Sequence, residues 1–425
     1  MSEIKNLQNF LDNSHSSYHA VANLAAQLAE AGYTRLSEKE EWELVPGGKY
    51  FLVRGGTAVI AFRIPEGEVT GFMMSASHSD RPTFKVKENA ETVGAYTKML
   101  VERYGGMLIS TWLDRPLSIA GRVVVETEQG VEIKLVDIDR DLLMIPNVAI
   151  HMNRQANEGY KWNPAVDTLP LMGGKDAKGK LNEILEEAAG GKILGHDMYL
   201  YIRQKSSIWG VNEEYISSAA LDDLECAWAC TQGFLAAPDT AAIPVLCVFD
   251  NEEVGSSSAA GAAGDLLESV LVRICEAREL DIFRLLANSF MVSADNGHAL
   301  HPNHPELADA ANAPMMGGGV VIKFNASQRY CTDGFSVAVF RRICNKAGVP
   351  TQTYCNRADI AGGSTLGNIS LHHVSVPTID IGVAQLAMHS CYETGSVADA
   401  IHLKNALAAF YGATLDTQGD TCAIL

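Results

Sequence analysis

The sequence predicts an α/β fold, a mostly parallel sheet covered by helices with a β-rich module inserted into it. Three observations carry this. From about residue 215 to the end, helical stretches alternate with short apolar runs, the texture of a sheet with helices packed on it. Residues 49–76 read as further strands separated by turns. Between them, a middle third alternates polar and apolar residues at period two, the mark of a half-buried antiparallel sheet. The chain therefore divides into a discontinuous α/β part, 1–84 and 215–425, and an inserted β-rich part, 85–214. With 425 residues, 47% hydrophobic and a mean hydropathy of +0.02, it has material for one large core and a smaller one.

Taken in order, Leu7, Phe10 and Leu11, then Val21, Leu24 and Leu28, recur at helical spacing, with Gly32 as the stop. This is a surface helix pair or one broken helix. Strands follow at 50–53, 58–62 and 71–74, with turn clusters such as Pro65-Glu66-Gly67 between them. In the insert, 121–127 and 131–135 alternate around Glu128-Gln129-Gly130, a hairpin signature. The Gly/Lys/Glu-rich stretch 173–191 reads as exposed loop and helix. Beyond 215, helices at 221–234, 266–286 and 398–411 alternate with strands at 245–249, 290–293 and 376–383. Gly317-Gly318-Gly319 leads into the strand-like Val320-Val321-Ile322-Lys323-Phe324, so it does not read as a phosphate-cradling loop.

The bulk chemistry excludes more than it proposes. Fifty-one acids against 33 bases give a formal charge of -18, which disfavours nucleic acid and anionic membranes as partners. The first residues lack a basic segment followed by an apolar one, and no stretch is long and apolar enough for a bilayer, so a cytoplasmic chain is expected. Nine cysteines without paired metal spacing fit a reducing compartment. The final Cys422-Ala423-Ile424-Leu425 formally matches a prenylation box, but no basic cluster precedes it and it reads as chance.

Ligands of open α/β sheets sit beyond the carboxyl ends of strands, so the residues following each apolar run matter most. His78-Ser79-Asp80 follows the run at 71–74. Asp250, Glu252 and Glu253 follow 245–249, Asp295 follows 290–293, and His389 lies beyond 376–383. Asp222-Asp223 opens the helix at 221–234, where a carboxylate also meets the positive end of the helix dipole. Singly, each has a bland reading: a hydrogen-bonded structural histidine, a helix cap at Asp222, a solvated acidic loop at 252–253. Jointly, two histidines and three carboxylates at one sheet edge suit a pair of divalent ions with one bridging carboxylate. Clustered buried carboxylates need such a partner, since they repel unless protonated or metallated.

These segments resemble the aspartyl aminopeptidases, cytosolic di-zinc peptidases of zinc-exopeptidase-like fold, over nearly the whole chain. The similarity runs through His78-Ser79-Asp80-Arg81-Pro82, the 111–117, 218–224 and 250–256 segments, Ala294 to Asn303, Val321 to Tyr330, Gly363 to Gly367 and Ala387 to Ser390. By position, the resemblance implies one zinc on His78 and Asp295, a second on Glu253 and His389, and Asp222 bridging. Co2+ or Mn2+ would be substitutes. It implies Glu252 as general base and Asp80 as the partner that orients His78. Adjacent glutamates in an extended loop would face different ways, one to metal and one to water, leaving Asp250 structural. The resemblance also implies Lys323, Tyr330 and a neighbouring subunit's His151 as substrate-binding residues, within a homo-dodecamer assembled through the insert. Ala220 and Asp223 stand where the family commonly has Arg and Asn, and Ile360-Ala361-Gly362 departs from the usual form before Gly363.

The expected function is removal of an amino-terminal residue, acidic by preference, from peptides by metal-activated water. Rival readings are an amidase or deacylase of N-acyl substrates, an aminopeptidase of neutral residues, and a catalytically idle binding scaffold. A scaffold has no need of a base, whereas Glu252 is present beside a full ligand set.

Overall fold

The computed structural model describes residues 2–425. A nine-stranded sheet runs in the order Thr34–Arg35, Lys49–Arg54, Ala58–Arg63, Ile243–Phe249, Phe72–His78, Phe290–Ala294, Thr378–Gly382, Val320–Phe324, Thr351–Cys355. Its four central strands, from Ile243–Phe249 to Thr378–Gly382, are mutually parallel, while Ala58–Arg63 and Val320–Phe324 join them antiparallel. The fold is α/β with a mostly parallel sheet, as the alternating texture predicts.

Both faces are covered, which is why the central strands are continuous apolar runs. Leu246 and Val248 of one strand, with Phe290 and Val292 of another, face the helices Glu3–Asp12, Ser17–Glu30, Leu221–Ala236, Gly334–Lys346 and Val397–Tyr411. Val245, Cys247 and Met291 face the opposite way, onto helix Leu266–Arg278 and its neighbours. The amino-terminal segment forms two helices, the second capped by the Ser16 side chain. The predicted helix at 266–286 is instead two, Leu266–Arg278 and Ile282–Ala287. Glu279 takes a left-handed conformation, and the Asp281 carboxylate accepts from the backbone N–H of Phe283 and Arg284 to start the next helix.

A second, six-stranded sheet is antiparallel throughout, in the order Gly130–Asp137, Leu117–Thr127, Ile193–Ile202, Thr83–Val93, Thr97–Tyr104, Leu171–Gly173. Phe84, Val123, Met198 and Leu200 form its core, and helix Lys180–Ala189 covers one face with Leu181 and Leu185. Strand Tyr215–Ser218 pairs with Ser207–Trp209 on one side and Glu393–Ser396 on the other, returning the chain to the first part. Cys422 lies in the closing hairpin Leu415–Gln418/Thr421–Ile424. Among the described residues, no helix is long and apolar enough to cross a membrane.

Candidate metal centre

The parallel register sets the site. Phe249 pairs with His78, so strands Ile243–Phe249 and Phe72–His78 end flush and deliver the acidic loop beside the histidine. Asp295 is the residue after strand Phe290–Ala294, next in the sheet. The geometry gathers His78, Asp222, Asp223 and Asp295 in one group and Asp222, Glu253 and His389 in another, with one ligand atom from each member of a group within 4.8 Å of the rest. Asp222 belongs to both. Its Oδ1 lies 3.5 Å from His78 Nε2 and its Oδ2 3.4 Å from His389 Nε2, so its two oxygens face two separate sets of donors. Glu253 Oε2 stands 3.4 Å from the same His389 nitrogen. Glu252 falls with His78 and Glu253 in a third grouping.

The electrostatics suit a cation. Among the described residues, Asp222 Oδ1, Asp223 Oδ1 and Glu253 Oε1 are buried without a hydrogen-bond partner. Burial pushes Glu253 and Asp295 above the usual carboxylate range, and Glu252 up to about 8. Burial also works against the Asp222 anion, but the imidazoles of His389 and His78 beside it outweigh this and hold the carboxyl below the usual range. For His389, burial is likewise outweighed by Asp222, and the imidazole is pushed up to about 9. Orphaned carboxylate oxygens beside imidazole nitrogens are the hard and intermediate donors that divalent cations take, so the residues fit zinc.

Two local readings change. Asp222 is not a cap: its φ/ψ of -83°/106° and those of Asp223 are non-helical, and the helix start has no side-chain cap. Asp223 instead accepts the His78 backbone N–H at 3.0 Å. Glu252 and Glu253 lie in a 3-10 turn, Glu252–Val254, not an extended loop, entered through Asn251 in the left-handed region at φ 61°. Asp80 accepts both of their N–H groups, Glu252 at 3.1 Å and Glu253 at 3.2 Å, and its Oδ1 lies 3.3 Å from His78 Nδ1.

Sequence reasoning missed Glu393. Its carboxyl oxygens accept from the backbone of Asp222 at 3.0 Å and of His389 at 2.7 Å, tying two distant candidate ligands to one buried side chain. A glutamate four residues after His389 carries no signature of this, because its partners are main-chain groups.

The profile of the aminopeptidase I zinc metalloprotease family, M18, matches residues 10–411. The chain belongs to this family. The aspartyl aminopeptidases, which the motifs resemble, are M18 enzymes, and metallo-aminopeptidase chemistry is the family's reaction class. The M18 chain is similar to a probable M18 family aminopeptidase 2 of Clostridium acetobutylicum, 42% identical with 96% of this chain and 98% of the relative covered. A counterpart from Pseudomonas paraeruginosa is 38% identical, covering 96% and 97%. Among solved structures, Ape4 in complex with Nbr1 superposes with a TM-score of 0.92 at 33% identity, covering 96% of this chain and 85% of that one. The S. cerevisiae mApe1 dodecamer gives 0.85 at 26% identity, covering 96% of each chain.

Around the M18 centre, Lys323 is not the exposed strand lysine its sequence position allows. It is 1% exposed, 3.4 Å from Asp295 Oδ2, and 5.1 Å over the Tyr330 ring, which is itself buried. Burial disfavours its charge, but Asp295 outweighs this and the ammonium is held above the usual lysine range. A cavity of about 350 Å³ opens nearby, lined by His298, Tyr354 and the Gln385-Leu386-Ala387 segment that leads to His389. His151 does not join the other site residues: it sits in an exposed turn of the second part. Val148, Ile150 and Met152 around it are 52%, 48% and 82% exposed.

Proposed function

We propose that this M18 aminopeptidase works with two divalent ions, zinc by preference, and favours acidic amino-terminal residues. The observation that carries the two-ion reading is the placement of Asp222, whose two oxygens face two donor groups. His78 and Asp295 would hold one ion, Glu253 and His389 the other. When bound, the ions supply the Lewis acidity that acidifies a water and polarises the scissile carbonyl. The chain's own residues do the rest. Glu252, fixed through its backbone N–H by Asp80, takes the proton from the attacking water at its carboxylate and returns it to the leaving amine. The surrounding carboxylates attract the substrate's free ammonium, which selects chain ends over internal bonds.

Lys323 supports the acidic preference. Its ammonium is desolvated and shares Asp295 with the ion site, so neutralisation of Asp295 by a cation leaves it free to pair with a substrate carboxylate. Lys323→Met is expected to cost roughly 1.5–3 kcal/mol on acidic substrates and much less on neutral ones. The test is metal content and turnover on a panel of aminoacyl anilides, with and without chelator and with the amine free or acetylated. Two ions per chain, loss with chelator, preference for Asp or Glu, and loss on acetylation support the reading. Faster turnover of the acetylated series would make this an N-acyl amidase.

The inserted part, 85–214, is proposed to assemble the chains into a homo-dodecamer, with His151 reaching a neighbour's site. The exposed apolar side chains around His151 and the dodecameric relative support this. Nine free cysteines support a reducing, cytoplasmic setting.

A further inference from the structure

Strand Thr97–Tyr104 of the second sheet runs into the centre of its own chain, and the three residues at its end each meet a different site residue. Tyr104 donates its hydroxyl to Asp80 Oδ2 at 2.7 Å and accepts from Asn251 Nδ2 at 2.8 Å. Asp80 is the carboxylate that holds the N–H groups of Glu252 and Glu253. Gly105, at φ +76°, passes so near the second glutamate that an added Cβ would lie 3.1 Å from Glu253 Cβ. The carbonyl of Gly106 accepts from His389 Nδ1, and the Leu108 N–H donates to His389 O at 3.0 Å.

Packing alone does not account for the tyrosine. Its ring stands edge-on to Tyr199 of the same sheet, centroids 5.6 Å apart, a contact phenylalanine makes equally well. The hydroxyl is spent on Asn251, which enters the turn carrying the glutamates, and on Asp80, which accepts that turn's N–H groups from the end of the neighbouring strand.

We propose that Tyr104 is a positioning residue that fixes Glu252 and Glu253 through Asp80, so that the strap 104–106 couples the second sheet to the reacting centre in cis. The inference rests on the reading of Glu252 as base and Glu253 as ligand. It gives the sheet a role in turnover that is independent of any residue reaching across to a neighbour.

Tyr104→Phe tests it, because the ring packing survives and only the hydroxyl goes. The expected result, at saturating zinc, is a fall in kcat of about 10–100-fold, the usual cost of losing an outer partner of a metal site. KM and Tm should stay near wild type. In an Asp80→Asn background the same substitution should cost little more, since the route through Asp80 is already broken. Wild-type kcat in Tyr104→Phe, or a lowered Tm with unchanged kcat, overturns the proposal. So does an undiminished loss in the Asp80→Asn background. Glu252→Gln runs alongside: if it turns over normally, the base assignment falls and the inference with it, whereas an inactive Glu252→Gln beside a normal Tyr104→Phe sinks the inference alone.

Discussion

Two adjacent glutamates are given different work by one turn. The 3-10 geometry of Glu252–Val254 places Glu253 against His389 and leaves Glu252 grouped with His78, while one anion, Asp80, holds both peptides. Glu252→Gln is therefore expected to keep its metal and lose about 10²–10⁴ in kcat, measured by steady-state kinetics beside elemental analysis. The same crowding sets a pH dependence for the metal-free protein. Glu252 and Glu393 are each pushed up to about 8 by burial, and His389 up to about 9 by Asp222 despite burial, so the folded state holds more protons than the unfolded chain. Wherever that is so, stability falls as pH rises. Thermal melts of chelated protein should drop between about pH 5 and 9, and added zinc should restore more at the upper end, because ligand deprotonation favours metal. A chelated protein that is most stable at pH 8 would contradict this. At this scale the sequence was legible where a residue type followed a strand: His78, the acidic loop and Asp295. It was silent on Glu393 and Tyr104, which act by gripping main-chain groups or another side chain and leave no spacing to read.

Elements place these side chains to fractions of an ångström. Strand Thr378–Gly382 approaches the Asp295 peptide so closely that a Cβ on Gly382 would lie 2.0 Å from the Asp295 carbonyl oxygen. Gly382→Ala should displace Asp295, cost about 1–3 kcal/mol in stability and weaken one ion more than the other. Stepwise zinc titration reads this directly; two unchanged binding steps would contradict it. The strands themselves were predictable because both faces of the central sheet are buried and the runs are continuously apolar. The helix break at Glu279 was not, since apolar spacing continues across it and only the Asp281 cap marks the restart. Nor was the turn at 252–254: three acids after a strand look alike whether the backbone is extended or coiled.

On the scale of the molecule, the second sheet reaches the centre through 104–106, while its exposed turn carries His151 away from it. If His151 serves a neighbour, mixing inactive Glu252→Gln subunits with His151→Ala subunits under exchange should regenerate activity, about a quarter or less of wild type when chains assort randomly. Reassembled mixtures that stay inactive, beside recovering wild-type controls, would rule out a shared site. The two parts of the chain were separable by texture, polar alternation against apolar runs, but the strap joining them was hidden, because Tyr104-Gly105-Gly106 reads as an ordinary strand end. The ligand set also has an order in time. His78 is made early and His389 late, and the last helix, Val397–Tyr411, packs on helix Leu221–Ala236 just behind Asp222. At about 5–20 residues per second, synthesis separates the two histidines by tens of seconds. Asp222, Glu252, Glu253 and Asp295 join within that interval and His389 comes last, so the full donor set is complete only near the end of synthesis.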